Sequence, residues 1–344
     1  MMHDSVNRTL ERVCPLDRVK AAVNAGEVAA TDVWKSLVEL GVPALLIPET
    51  HGGLGLTLLD AALVSEALGR HVAPVPFIAS CVMAPLALRH AERAKEWLPI
   101  LASGKAIAGV AISEKIAGAR DGAGVTAKNG KLNGKALFAM DFGAADIFIV
   151  ADREGQLHLV DATAKGLGKI ALTSIDQTRS LGELQFVNVE AENLNAPLDI
   201  LRNAGWVMLA ADTLGAGSRM IEKAVDYAKE RKQFDRVIGS FQAVKHLCAE
   251  MAAELEPCRS LVWYAAHAFD AIPQESALTA AHAKAHLSEV GRFVARTATE
   301  VHGGIGITDL LGLHYWFKRI GLDRALLGVP ERVRHLAAEM QGFV

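Results

Sequence analysis

The longest regular pattern in this chain lies in its C-terminal third. Over residues 241–269 apolar side chains recur every three or four positions, the spacing that lines them up on one face of an α-helix. The stripe consists of Phe241, Val244, Cys248, Met251, Leu255, Cys258, Val262, Ala265 and Phe269. Residues 208–230 and 276–301 carry similar stripes, and residues 330–340 a shorter one. Such stripes need one another for burial, so we predict an antiparallel four-helix bundle, kinked at Pro257.

The middle of the chain follows a different pattern. Between residues 105 and 198 short runs rich in β-forming residues alternate with Gly, Asn and Asp. Asn129-Gly130 is typical of a hairpin turn. Residues 1–104 return to helical spacing, over 32–40 and 58–68. We therefore predict a mainly α protein with a central β-domain (α+β): an N-terminal helical domain (1–104), a β-barrel or sandwich (105–198) and the bundle (199–344).

Charge and cysteine content narrow the function classes. The net charge of −3 gives no field that would attract nucleic acid or an anionic membrane. We find no apolar run of about 18–20 residues, the length that spans a bilayer, and no secretory signal in residues 1–30. Four cysteines without a CxxC pair favour a cytoplasmic location. His282 and His286 are spaced like zinc ligands, but without a third ligand we predict no metal site.

One stretch, residues 228–246, reads AKERKQFDRVIGSFQAVKH. It predicts a helix that carries Arg231 and Lys232, a loop, and a second helix that restarts at Ser240. The N–H groups of residues 240–242 would then suit a phosphate or a carboxylate. The alternative is a charged helix end followed by a serine N-cap. These residues alone leave both interpretations open.

Taken with two other blocks, this stretch resembles the acyl-CoA dehydrogenase family. The motif E-R-x-Q-F-G-x-P-I-G-x-F-Q-x-x-[KQ]-H matches it, with Asp235 and Val237 in place of Gly and Pro. EVHGGIGITDLLGLHYWFKR at residues 300–319 is similar to a second family block. GVPALLIPETHGGLGL, EALGR and APVPF, within residues 41–77, are similar to a third.

The resemblance implies a flavoprotein that removes an α-proton and a β-hydride from an acyl-CoA thioester. FAD takes the hydride, and an electron-transfer flavoprotein is the electron acceptor. The resemblance also implies a homo- or hetero-oligomer, dimer or tetramer, in which FAD is shared across an interface. Its cofactor-binding residues would be Arg231, Gln233 and Phe234, supported by Gln242 and His246, with Gly303, Gly304 and Gly306 at the adenosine end.

The catalytic glutamate of the family has no counterpart at the matching positions. One of these positions aligns with Leu327 and the other with Gly205. The nearest carboxylates are Asp212, Asp323 and Glu331. The flavin-side motifs also differ: Ser113-Glu114-Lys115, then Arg120-Asp121, replace Thr-Glu-Pro and Gly-Ser-Asp, and residues 136–139 replace Trp-x-Thr-Asn. Glu300 stands where the family usually has Gln.

Two functions follow from this pattern. The first is an acyl-CoA dehydrogenase whose base has moved to another residue. The second is a non-catalytic partner subunit of a heteromeric acyl-CoA dehydrogenase, for instance one acting on bulky or steroid side-chain CoA thioesters, which binds FAD only in part or shares it. The altered groups act within a subunit and the matching ones act across the interface, so the pattern favours the second. A flavin oxidase of the nitroalkane-oxidase type, which needs an aspartate base, fits least.

Overall fold

The computed structural model describes residues 2–89, 91–118 and 122–344. Its N-terminal part is helical, as predicted. The helices are α1 (Met2–Val13), α2 (Leu16–Ala25), α3 (Thr31–Glu39), α4 (Leu58–Arg70), α5 (Ala84–Leu88) and α6 (Ala94–Ala102). Thr57 and Asp60 form a reciprocal capping box that starts α4. A buried π-helical turn, Ile78–Met83, leads into α5.

A mixed sheet occupies the middle of the chain. It comprises β1 (Ala108–Ala111), β2 (Gly124–Lys128), β3 (Lys131–Met140), β4 (Ile147–Ala151), β5 (Leu157–Asp161), β6 (Leu167–Leu172), β7 (Leu181–Glu190) and β8 (Glu192–Asn193), with the short helix α7 (Ser113–Ala117) after β1. The strand order is β6-β7-β3-β1-β4-β5-β8, and β2 pairs with β3. The β2–β3 hairpin turns at Asn129-Gly130, both with positive φ, which confirms that prediction.

The sheet has two apolar faces. One apolar cluster combines Phe148 and Val150 of β4 with Leu184 and Phe186 of β7. Since β4 and β7 lie on opposite sides of β1 and β3 in the sheet, the sheet curls over this cluster as its own core. The opposite face, with Ile147 and others, joins the large helical core. The sheet therefore covers its own small core with one face and packs against the helical core with the other.

The C-terminal part contains α8 (Leu198–Glu230), α9 (Gln242–Ala271), α10 (Pro273–His302), α11 (Leu313–Ala325) and α12 (Pro330–Met340). The predicted bundle helices are confirmed, and α11 adds a further one. Helix α8 begins at Leu198, ahead of the predicted stripe at 208–230, and residues 203–217 are buried all round, so they show no periodic apolar face. Helix α9 continues through Pro257.

Glycines bring α4 and α8 into backbone contact. A Cβ at Gly69 would lie 2.0 Å from the carbonyl oxygen of Asp212, and one at Gly215 would lie 1.8 Å from that of Glu66. No larger residue fits at either position without moving a helix. This crossing attaches the N-terminal helices to the bundle and fixes Asp212 in the interior.

Two details of the 228–246 stretch differ from the prediction. Helix α8 ends at Glu230, before Arg231 and Lys232, because the chain turns into a small hairpin. Ser240 is not an N-cap: its hydroxyl donates to the carbonyl of Val237 at 2.7 Å, and α9 starts at Gln242 without a side-chain cap. The serine-cap interpretation was therefore wrong.

Candidate functional site

A cavity of about 340 Å³ lies between the sheet and the segment that joins α11 to α12. Leu137 and Phe138 of β3 form part of its sheet-side wall, and Leu322, Leu326 and Leu327 form part of its helical wall. Ser113 and Glu114 of α7 add polar atoms. Among the described residues that line the cavity, Glu114 has the one ionisable side chain. The site is a mostly apolar chamber with few polar groups, as ligand pockets usually are.

The two positions at which the family resemblance places a catalytic glutamate contact each other. Leu327 is 1% exposed, and its carbonyl accepts a hydrogen bond from Trp206 Nε1 at 2.7 Å. A Cβ at Gly205 would lie 2.5 Å from Leu327 Cδ1 and 3.4 Å from Met83 Cε. We call Gly205, Leu327 and Met83 the interior wall. It is packed and apolar, with Leu327 filling the space beside Gly205.

Asp212 is held by two arginines in the protein interior. Its carboxylate accepts from Arg319 Nε and Nη2 at 2.9 and 2.7 Å, and it lies 3.1 Å from Arg179 Nη2. Burial raises the pKa of Asp212, but Arg319 and Arg179 outweigh burial and bring the pKa to about 2. Asp212 is therefore a buried anion paired with cations, and it does not line the cavity.

Asp323 and Glu331 are also placed away from the cavity. Asp323 Oδ1 lies 2.8 Å from Arg179 Nη2, and burial raises its pKa well above the usual range. Lys284, also buried, donates to the carbonyls of Asp323 and Arg324. Glu331 is exposed and pairs with Arg324 at 3.0 Å. We call Asp212, Asp323, Arg179 and Arg319 the buried charge cluster. Neither carboxylate of this cluster lines the cavity.

The predicted cofactor-binding residues of the 228–246 stretch lie on the surface. Strands β9 (Lys232–Gln233) and β10 (Arg236–Val237) form a hairpin whose turn residues, Phe234 and Asp235, have φ of 53° and 61°. Phe234 is 87% exposed. Arg231 and Gln233 are exposed beside it, as are Gln242 and His246 on the first turns of α9. The hairpin presents cationic and aromatic groups to solvent.

The glycine block follows α10 as a 3₁₀ segment, Gly303–Ile307. Gly303 and Gly304 are exposed, and a Cβ on either would meet nothing within 4 Å. Gly306 differs: it is buried, and a Cβ there would lie 2.8 Å from the carbonyl oxygen of Thr299. Gly303 and Gly304 therefore leave backbone open to an incoming group, whereas Gly306 serves packing within the chain.

A ring contact that the sequence does not predict joins these two motifs. His302 stacks on Tyr227 with ring centroids 4.7 Å apart. Tyr227 also accepts the backbone N–H of Arg231 at 2.8 Å through its carbonyl, where α8 ends. The hairpin and the glycine segment are thereby held at the same end of the bundle. We call them together the exposed loops.

Family comparisons agree with this architecture. Residues 1–105 match the acyl-CoA dehydrogenase N-terminal domain, and residues 179–341 match the acyl-CoA dehydrogenase C-terminal domain. Two curated relatives are similar along nearly their whole length. Acyl-CoA dehydrogenase IpdE2 of Mycolicibacterium smegmatis is 31% identical over 342 residues, covering 99% of this chain and 98% of the relative. Its namesake in Mycobacterium tuberculosis is 33% identical, covering 99% and 96%.

The chain belongs to the acyl-CoA dehydrogenase family. Among solved structures, the ChsE4-ChsE5 complex from Mycobacterium tuberculosis contains a chain of the same fold. It has a TM-score of 0.90 and 26% identity, and the match covers 99% of this chain and 96% of that one. Family membership makes the protein an oxidoreductase by class and implies FAD as its cofactor. No helix in the described ranges has the length and apolarity to cross a membrane.

One buried polar group of the cavity fits FAD, the cofactor of the family. Ser113 is 5% exposed, and its Oγ lines the cavity without a hydrogen-bond partner among the described residues. A buried hydroxyl without a partner fits a ligand that brings a polar atom. Ser113 and the sheet-side wall would hold the flavin ring, whose chemistry is to accept a hydride. Arg120 and Asp121, the other flavin-side positions, lie outside the described residues.

The remaining predicted features of this family member lie outside the cavity. Glu300 is exposed near the end of α10. His282 and His286 are exposed on the same helix, and no group of three metal-ligating side chains occurs in the described part of the chain. All four cysteines are free thiols, of which Cys14, Cys81 and Cys258 are buried.

Proposed function

We propose that this chain is the non-catalytic partner subunit of a heteromeric acyl-CoA dehydrogenase. It would present the exposed loops to the FAD of a catalytic homologue and contribute no base of its own. The observation that carries this proposal is the contact between Leu327 and Gly205, which fills both family base positions with apolar packing.

The chemistry explains why that contact matters. The α-hydrogen of a thioester is a weak acid, so its removal needs a carboxylate aimed at the carbon from a dry pocket. Asp212 and Asp323 are tied to arginines in the buried charge cluster, and Glu331 points to Arg324 at the surface. Glu114 does line the cavity, but one of its oxygens accepts the Leu137 N–H.

The exposed loops support the other half of the proposal. Arg231, Gln233 and Phe234 are exposed, and Phe234, at 87%, is an unusually bare aromatic ring for a single chain. A cationic, aromatic hairpin beside open glycine backbone suits the diphosphate and adenosine of a nucleotide held mainly by another subunit. The similar ChsE4-ChsE5 structure is a complex.

The substrate and electron acceptor belong to the same proposal. A similar structure is described as a steroid acyl-CoA dehydrogenase, so we propose a bulky or steroid-derived acyl-CoA thioester. Electron-transfer flavoprotein is the proposed acceptor, on the family pattern. The cytoplasmic location stays a prediction from the scattered cysteines.

The proposal is tested by purifying the chain alone and then with a catalytic homologue. We expect the lone chain to leave flavin absorbance unbleached when an acyl-CoA series is added anaerobically. Co-expression with the homologue should give a complex that bleaches. Bleaching by the lone chain would overturn the proposal in favour of a moved base, and replacing Glu114 by Gln would then show whether that residue is the base.

A further inference from the structure

Strand β3 carries an irregularity where it borders the cavity. Its pairing with β7 is regular from Gly134 opposite Phe186 to Ala136 opposite Leu184, and it resumes at Ala139 opposite Gly182. Leu137 and Phe138 therefore stand opposite the single residue Glu183, which makes a β-bulge. Phe138 has a φ of 56°, a left-handed conformation that costs energy for a bulky residue. Bulges of this kind turn side chains towards neighbouring sites.

The bulge leaves a backbone donor that the ladder does not use. The N–H of Leu137 donates instead to Glu114 Oε1, a residue of α7 that lies 23 positions earlier in the chain. Glu114 is half-buried, and burial raises the pKa of its carboxyl group. An N–H left without a partner at such a place would destabilise the local backbone. Both ends of this bond line the cavity.

We propose that Glu114 is a positioning residue whose carboxyl oxygen fixes the β3 bulge and so sets the sheet-side wall formed by Leu137 and Phe138. The wall it sets faces Leu327 across the cavity. The expected effect on FAD binding rests on the proposed function. The Glu114–Leu137 hydrogen bond itself does not, because it can be tested without any cofactor. In this role, the length of the Glu114 side chain and its acceptor oxygen matter more than its negative charge.

Two substitutions of Glu114 separate the effect of side-chain length from the effect of charge. Glu114→Gln keeps the chain length and an acceptor oxygen but removes the charge. Glu114→Asp keeps the charge but is one methylene shorter. Glu154→Ala is a matched control, because Glu154 is an exposed carboxylate in the same sheet region and its side chain accepts none of the hydrogen bonds described here. All three are studied as the full chain, free and in complex with the catalytic homologue.

The first measurement is amide hydrogen exchange at Leu137. Loss of a buried hydrogen bond typically changes an equilibrium by about tenfold or more. We expect Glu114→Asp to speed exchange at Leu137 by about that factor, and Glu114→Gln and Glu154→Ala to change it by less than about threefold. Unchanged exchange in Glu114→Asp would overturn the proposal, whatever the complex does with flavin.

The second measurement is the FAD dissociation constant of the complex. FAD held by the homologue alone would not respond, so this measurement concerns a flavin ring held against Ser113 and the sheet-side wall of this chain. For that site we expect the same order, with Glu114→Asp weakening FAD by about tenfold and Glu114→Gln close to the parent. If Glu114→Gln weakens FAD as much as Glu114→Asp while Leu137 stays protected, charge rather than position is at work and the proposal fails. A complex that binds no FAD would contradict the proposed function, while exchange at Leu137 would still decide the role of Glu114.

Discussion

The interior wall and the exposed loops differ in what holds their residues in place. Leu327 is fixed by Trp206 and by the space over Gly205, so each residue of the wall depends on its neighbours in the same chain. Phe234, Gly303 and Gly304 project from the chain with little around them. In the sequence resemblance, Leu327 and Gly205 stand at the positions of the family's catalytic glutamate, whereas the exposed loops match the family's motifs. On the proposed function, the exposed loops would be used by a second subunit, whereas the interior wall serves the packing of this chain.

The largest effect on stability is expected in the buried charge cluster. Arg319→Met removes the guanidinium that binds both oxygens of Asp212. Breaking a buried pair leaves an uncompensated charge, so we expect a loss of about 3–5 kcal/mol in the free energy of unfolding. Urea denaturation measures it, with Arg231→Met in the exposed loops as the control, expected within about 0.5 kcal/mol of the parent. A loss below about 1 kcal/mol for Arg319→Met would mean that Asp212 is not held as a structural anion.

The interior wall itself comes next. Leu327→Ala should cost about 2–5 kcal/mol, because it opens a cavity beside Gly205. Gly205→Ala should cost about 1–3 kcal/mol in the parent through overpacking against Leu327. In the double variant the new methyl group enters the vacated space, so the double loss should be smaller than the sum of the single losses. A double-mutant cycle by denaturation measures this coupling, and strict additivity would show that the two positions do not share space.

The third effect depends on pH. Burial lowers the pKa of Lys284 to about 7, with Asp323 opposing, whereas an unfolded lysine titrates near 10.4 as a typical value, about three units higher. Between these values the unfolded chain binds a proton that the folded chain does not, so stability should rise with pH. The slope is at most about 1.4 kcal/mol per pH unit.

Lys284→Met lacks this titration and serves as the reference. The stability of the parent minus that of Lys284→Met should increase between pH 7 and pH 9, as measured by denaturation at each pH. If the stabilities of the parent and of Lys284→Met change with pH in the same way, Lys284 stays charged beside the α11 carbonyls. The surroundings of Lys284 would then be polar enough to hold a buried charge.

The smallest effect on stability is expected at the exposed loops. Phe234→Ala should change the unfolding free energy of the lone chain by less than about 0.5 kcal/mol, since the ring is mostly in solvent. Its affinity for the catalytic homologue should fall by about tenfold or more, because exposed aromatics often become interface anchors. Titration by light scattering or calorimetry measures this. An unchanged affinity would remove the contrast between the two regions.

The sequence predicted the features that depend on local pattern. Helical stripes located α9, α10 and α12, and Asn129-Gly130 located a hairpin, because period and turn chemistry act over a few residues. The family motifs located the exposed loops. The apolar stripe of α8 could be followed only from residue 208, since residues 203–217 are buried all round and show no polar face.

Other features depend on contacts between distant residues. The 232–237 hairpin turns at Phe234-Asp235, and phenylalanine is not a residue that signals a positive φ. The buried charge cluster joins Arg179 to Asp212, Arg319 and Asp323, which only the tertiary fold brings together. The bond from Leu137 to Glu114 is likewise invisible in the sequence. From sequence alone, a charged residue on a predicted helix is expected to face solvent. Only the tertiary structure shows that it is buried with an oppositely charged partner.

The Gly205–Leu327 contact also bears on how such a chain could change over time. A carboxylate reintroduced at 205 would strike Leu327, and one at 327 would sit where an apolar side chain now fills the space and where the backbone is left-handed. Either reversal needs a second substitution in the same neighbourhood before it is tolerated. If the chain is the partner subunit proposed above, this packing would hold it in that role, because regaining a base at either position would take two coordinated substitutions.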